Sequence, residues 1–153
     1  MAKPPSGTSM HIADQLCFAL YGASRAIQQA YRPQLAKHDL TYPQYLCLLV
    51  LWERNNRPVS EIAAELGLDT ATTTPLLQRM EKAGLVTRTR SDQDERQVIV
   101  SVTEDGAGLQ DSVRSVTESI TTLANDASGN AAELRDTLNA FTARLHEELT
   151  TND

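Results

Sequence analysis

Residues 60–102 read SEIAAELGLDTATTTPLLQRMEKAGLVTRTRSDQDERQVIVSV, and the order of elements inside this stretch sets the architecture. Ser60 is placed to cap a short helix, EIAAELG, although Ala63 leaves the capping box incomplete, and Gly67 suits the helix's end. A second helix follows at once, with Asp69 or Thr70 as cap, Leu76, Leu77 and Met80 on an inner face, and Gly84 as its stop. LVTRTR and QVIVSV are β-prone runs separated by the polar SDQDER, which predicts a hairpin with a longer loop. Helix, short turn, helix and hairpin in this order make a winged helix-turn-helix.

On the N-terminal side, Pro43 fits the first turn of a helix, PQYLCLLVLWER, whose nearly all-round apolar surface predicts a buried central element. From His11 to about Lys37, Ile12, Leu16, Leu20, Ala23, Ile27, Tyr31 and Leu35 recur at helical spacing, and Pro33 is expected to kink that helix or end it near Arg32. On the C-terminal side, Thr103 caps a helix opening with Glu104 and Asp105 and running to about Ala124, before NDASGN breaks it. Leu134, Leu138, Phe141, Leu145 and Leu149 form a near-heptad stripe on a last helix. The fold expected is mainly α with a small β-hairpin wing. Residues 1–9 read as a flexible tail and 10–153 as a single domain. Its winged core spans about 43–103, flanked by helices at about 10–37 and 104–150 that either close the monomer core or form a dimerisation region.

The 41% of hydrophobic and 22% of charged residues describe a globular chain, and the longest apolar run, 45–52, is far short of the ~20 residues of a membrane helix. A start rich in Pro and Gly is unlike a signal peptide, so a cytoplasmic protein without membrane association is expected. Net charge is -6, but the acidity is concentrated beyond residue 103, where three basic residues meet ten acidic ones. Between Arg79 and Val100 five basic side chains stand against four acidic ones, so phosphate contacts there depend on placement, not on a general basic field.

Two constellations carry chemistry. The second helix of the pair starts with Thr70, Thr72, Thr73 and Thr74, hydroxyls suited to DNA phosphates and thymine methyls, and carries Arg79 further along. Threonines at a helix start are also ordinary caps. In the hairpin, Arg88, Arg90 and Arg96 reach towards backbone and minor groove, with Asp94 two residues before Arg96, on the same strand face, to pair with it and aim it. The second constellation is Cys17, three residues after Asp14, a possible cap, and four before Tyr21, with which it shares a helix face. A free cysteine is most often a small buried hydrophobe. Here, however, all four tyrosines, Tyr21, Tyr31, Tyr42 and Tyr45, fall between positions 21 and 45. Phenol hydrogen bonds and a helix start both favour a thiolate, whereas Cys47, inside YLCLLVLW, is expected to stay protonated and inert. There is no glycine-rich phosphate loop, nucleophile elbow or Cys-x-x-Cys, and the three histidines are scattered, so neither an enzyme nor a metal or other cofactor is expected.

QLCFALYGASR, LTYPQYLCLLVLWE, TTTPLLQRMEKAGLVTR and SDQDERQVIVSVTEDG together resemble the MarR family of bacterial winged helix-turn-helix regulators, in particular its OhrR-type organic hydroperoxide sensors. The resemblance is close over about residues 10–110 and architectural elsewhere. It implies a homodimeric repressor of a peroxide-resistance gene, bound to a pseudo-palindromic operator. Cys17 would be the redox sensor, Tyr31 and Tyr42 would bond it within or across subunits, and Tyr21 would lie nearby. Some relatives lock the oxidised sulfur with a second, C-terminal cysteine; with none after Cys47, this chain departs from that pattern, implying a low-molecular-weight thiol as co-inducer. Two other readings keep a place: a MarR-type repressor answering a small aromatic ligand, and a thiol peroxidase, for which no resolving group is evident.

Overall fold

The computed structural model describes residues 9–151; the expected tail lies outside them except for Ser9, whose hydroxyl donates to Asp14 (2.6 Å). Six helices and three short strands follow one another as α1 (Leu16–Leu35), α2 (Tyr42–Glu53), β1 (Arg57–Pro58), α3 (Val59–Glu65), α4 (Thr70–Lys82), β2 (Val86–Arg90), β3 (Val98–Val102), α5 (Glu104–Ser128) and α6 (Ala131–Thr151). The chain divides into two compact units within α5, after Val113.

α2 is the centre of the first unit. Thr41 and Gln44 form a reciprocal capping box at its start, with Pro43 in the first turn as expected. Tyr45, Cys47, Leu48, Val50 and Leu51 are buried, joined by Leu35, Ile62, Leu77, Met80, Val86 and Val100 from neighbouring elements. Each fully buried leucine contributes about 1.5–3 kcal/mol by leaving water.

α3 and α4 meet across a turn that needs Gly67: its φ of +65° lies in the left-handed region, and the Leu68 amide returns to the Ala63 carbonyl (2.9 Å). Asp69 caps α4 by accepting from the Thr72 amide (2.6 Å), while Thr70 is the first helical residue. Ser60 is not a cap. α3 begins two residues earlier than expected, at Val59, with Pro58 in the cap position and no side-chain cap bond. Pro58 supplies the extended entry on its own, with φ -58° and ψ 146°. Of the two effects expected of Pro33, an end near Arg32 does not occur, for α1 runs through it to Leu35 and continues as a short 3-10 turn, Ala36–His38. Asp14 lies in a 3-10 turn before α1, and Gln15 occupies the cap position.

The wing is a three-stranded antiparallel sheet in the order β1-β3-β2, not a hairpin alone. Val86 pairs with Val102 and Arg90 with Val98, while Arg57 and Pro58 face Val100 and Ile99 on the other edge. Arg57 is 7% exposed, and its guanidinium bonds Glu65 (2.5 Å) and Glu61 (3.4 Å) of α3. Asn55 accepts from the Val102 amide (2.9 Å) and Asn56 from the Ser101 hydroxyl (2.6 Å). The approach to β1 and its first residue therefore tie the wing to the helices.

The Thr103 hydroxyl accepts from the Gly106 amide (3.0 Å) and donates to the Gly84 carbonyl (2.6 Å), joining the end of α4 to the start of α5. The Gly106 carbonyl accepts from the Trp52 indole (3.0 Å), and a Cβ at this position would stand 2.2 Å from the Leu85 carbonyl oxygen, so the backbones approach closely there. α5 extends four residues beyond the expected stop at Ala124, and in the second unit Asn130 opens α6 by accepting from the Glu133 amide (3.2 Å). The apolar stripe of α6, Leu134 to Leu149, is 38–61% exposed. No helix among the described residues is long and apolar enough to cross a membrane.

Candidate nucleic-acid interface and thiol site

The start of α4 does not offer all its threonines. Thr73 is fully buried and directs its hydroxyl to the Asp69 carbonyl (2.8 Å), so the structure removes it from the residues able to meet DNA. An inward-facing hydroxyl next to a turn of helix finds the carbonyl four residues back, as threonine commonly does. Thr70 and Thr72 remain exposed and Thr74 half-buried. Hydrogen bonds donated by the Thr72 side chain and then by its backbone amide hold the Asp69 carboxyl below the usual range, so the cap is anionic at neutral pH.

Wing and helix meet in a cleft of about 300 Å³, where Thr70 and Thr74 of α4 stand with Arg88, Arg96 and Gln97 of the wing and Ser60 of α3. Four of the expected residues, Thr70, Thr74, Arg88 and Arg96, are thus brought together. Arg88 is mostly buried: its backbone amide donates to Glu81 (3.1 Å), its Nη1 lies 3.5 Å from the same carboxylate, and its Nε is buried without a partner. Arg96 is 95% exposed, and Asp94 accepts from its amide (3.1 Å) and sits 3.5 Å from its Nε. The Asp94–Arg96 pair lies in the loop between β2 and β3, not on a strand face as expected; Gln97 returns its amide to the Asp94 carbonyl (2.8 Å) and closes a turn around it. Arg79 and Arg90 are exposed but do not line the cleft. Sequence reasoning missed Ser60 and Gln97. The spacing assigns Ser60 to a cap instead, and Gln97 carries no charge to draw attention.

Cys17 is exposed, the second residue of α1, in the first turn as expected. Tyr31, Tyr42 and Tyr45 form a ring cluster with centroids 5.0, 5.5 and 6.3 Å apart. Burial, the neighbouring Tyr45 and Tyr42, and a hydrogen bond with Tyr45 push the Tyr31 phenol well above its ordinary range; burial and Tyr45 raise Tyr42 as well. Tyr31 and Tyr42 therefore stay protonated donors in neutral solution. Tyr45, 1% exposed, is a cluster member to which the sequence assigns no role.

Within one chain this cluster does not reach the sulfur. Fourteen residues of helix separate Cys17 from Tyr31, about 21 Å along the axis. Tyr21 stands one turn from Cys17, 58% exposed, with the Arg25 guanidinium 5.6 Å over its ring and 3.4 Å from its hydroxyl. Cys47 is buried in α2, and desolvation pushes its thiol up to about 12. Among the described residues no cluster of His, Cys, Asp or Glu is arranged to hold a metal ion.

A family profile described as transcriptional regulator SarA/Rot matches residues 29–113, which contain the helix pair and the wing. The organic hydroperoxide resistance transcriptional regulator of Bacillus subtilis (strain 168) is 42% identical over 139 residues, covering 91% of this chain and 95% of that protein. The chain belongs to the SarA/Rot and MarR-type family of winged-helix transcriptional regulators. Among solved structures of similar proteins, reduced AbfR bound to DNA, from Staphylococcus epidermidis, is 34% identical with a TM-score of 0.78, covering 92% of this chain and 96% of that one. Disulfide-formed AbfR is 37% identical with a TM-score of 0.63, covering 88% and 94%. As a MarR-type regulator the chain has its family's architecture throughout the first unit: helix pair, wing and a long preceding helix.

Proposed function

We propose that this regulator is a homodimeric repressor that binds a pseudo-palindromic operator and releases it when organic hydroperoxide oxidises Cys17. The observation carrying the reading is the exposure of Cys17 in the first turn of a helix that buries only Leu35 in its own chain, beside one relative named for organic hydroperoxide resistance and another, AbfR, solved both reduced on DNA and disulfide-formed. The uncovered side chains of α1 and α6 supply the dimer contact. In that dimer the Tyr31 and Tyr42 phenols, out of reach within one chain, meet Cys17 of the second copy and donate to its thiolate.

The chemistry balances simply. The thiolate sulfur attacks the terminal peroxide oxygen, the O–O bond breaks, and the organic fragment leaves as alkoxide and takes up a proton to become an alcohol; sulfur, oxidised by two electrons, becomes sulfenic acid. A low-molecular-weight thiol then displaces hydroxide, which leaves as water, to give a mixed disulfide. Cys47 does not compete as the resolving group, because it is buried and holds its proton.

On DNA, Thr70, Thr72 and Thr74 of α4 face the major groove while Arg96, aimed by Asp94, and Arg90 reach the backbone and minor groove from the wing; Arg88 braces the wing on Glu81, and Arg79 serves phosphate. Two copies read half-sites about 34–36 Å apart, so a small rotation at the dimer contact misplaces both α4 helices together. Breaking one base or phosphate interaction costs about 1–3 kcal/mol, and breaking a few cancels the ~4–10 kcal/mol margin of specific over non-specific binding. The test is a gel shift at fixed salt, run beside intact mass measurement after limiting hydroperoxide and a small thiol. A thiol adduct on Cys17 that tracks DNA release is expected, with Cys17→Ser remaining bound; a Cys17→Ser protein that releases as readily as wild type overturns the reading.

A further inference from the structure

A cleft of about 450 Å³ opens between the second half of α1 and the start of α2, and its charge is one-sided. Arg25 and Arg32 line it together with Gln28, Gln29, Thr41 and Tyr42, and no carboxylate does. Neither arginine forms an ion pair among the described residues; Arg25 is held only by the Tyr21 ring and hydroxyl. Helical geometry adds a second observation. At 100° per residue, Cys17, Tyr21, Arg25, Gln28 and Arg32 fall within a sector of roughly 80° on α1, with Arg25 about 12 Å and Arg32 about 22 Å from Cys17 along the axis. Sulfur, phenol and both guanidiniums therefore share one face of one helix, and Tyr42, at the cleft's other wall, is the phenol assigned above to the sulfur of the second copy.

We propose that this cleft holds the carboxylate of the small molecule that reacts at Cys17, making Arg25 and Arg32 specificity-determining residues for carboxylate-bearing reactants over neutral ones. The inference rests on the sensor reading of Cys17 for its biological meaning, but the binding itself does not. Two guanidiniums with amide and hydroxyl neighbours offer an organic acid charge-assisted donors in a partly enclosed site, while Ala36 and Leu40 give the same cleft apolar surface for its hydrocarbon part. Such an acid has two sources: the hydroperoxide or the thiol that follows it.

The experiment separates both sources and separates this inference from the sensor reading. Oxidation of Cys17 is timed with a long-chain carboxylic acid hydroperoxide, its methyl ester, and tert-butyl hydroperoxide. Mixed disulfide formation on the oxidised protein is timed with mercaptoacetate and its methyl ester. Binding of the unreactive hydroxy acid and its ester is followed by calorimetry, with no chemistry at sulfur. The acid is expected to be preferred over its ester about tenfold in binding and in at least one reactive arm, and the arm showing the preference identifies the source. The preference is expected to shrink in 0.5 M salt and to vanish in the Arg25→Gln, Arg32→Gln double variant, with the tert-butyl hydroperoxide rate unchanged and Arg25→Lys, Arg32→Lys retaining part of it. Equal binding of acid and ester by the wild type overturns the inference, as does a preference that survives the double glutamine variant. Should that variant fold poorly, the wild-type ratio and its salt dependence decide. Failure of tert-butyl hydroperoxide to oxidise Cys17 overturns the sensor reading instead, leaving the calorimetric result to stand or fall alone.

Discussion

α1 and α2 are neighbours in sequence, each carries one cysteine, and they treat their apolar residues in opposite ways. α2 buries Tyr45, Cys47, Leu48, Val50 and Leu51 inside its own chain, whereas α1 buries only Leu35 and leaves Leu16, Phe18, Tyr21 and Ile27 between 38% and 62% exposed. Apolar periodicity thus announces a helix face without saying whose core it enters. α2 completes the fold of one chain. α1 presents a stripe left uncovered in its own chain, and its cysteine is exposed for the same reason that its leucines are.

Removing one leucine from each helix probes this contrast directly, and the larger effect belongs to α2. Leu48→Ala is expected to cost about 2–5 kcal/mol in urea denaturation, since it opens a cavity in a closed core. A loss below about 1 kcal/mol would mean that α2 is not the centre of the unit.

The two cysteines give the second test. Cys47 has its folded-state pKa raised to about 12 from an ordinary value of 9.0. The unfolded chain therefore loses its thiol proton first, and the stability this group supplies is complete below pH 9 and falls as pH rises from 9 towards 12. The slope approaches about 1.4 kcal/mol per pH unit in that window. Comparing denaturation midpoints of wild type and Cys47→Ala across the window isolates it, and identical slopes in the two proteins would refute the assignment.

The smallest effect belongs to Leu16→Ala. Its cost to the folded single chain is expected to stay within about 0.5 kcal/mol, because the side chain is exposed there. Its cost to self-association is expected to be about 1 kcal/mol, read by sedimentation as roughly a fivefold rise in the dissociation constant. An unchanged dissociation constant would place the dimer contact elsewhere than the first turn of α1.

The helix pair and wing were legible because their signals are local: the left-handed Gly67, the Asp69 cap and the break between two β-prone runs each act within a few residues. β1 was not legible, since two residues carrying a proline have no periodicity, and its pairing with β3 is a long-range fact. Thr73 and Thr72 are adjacent in sequence, and only the packing of α4 decides that one turns inward. Pro33 misleads because its missing donor sits near the helix end, where the helix passes into a 3-10 turn. The relation between Cys17 and the tyrosines was legible only as composition. Counting residues along α1 sets Cys17 and Tyr31 four helical turns apart, so a cluster in sequence is not a cluster in space within one chain.

At Arg57 the backbone is a rung of the sheet while the guanidinium is clasped by two acids of α3, so wing and helix pair are welded at one buried residue. Helix pair and wing then move as a single block, so under the proposed mechanism a torque arriving from an oxidised α1 would lift both from their grooves in the same stroke.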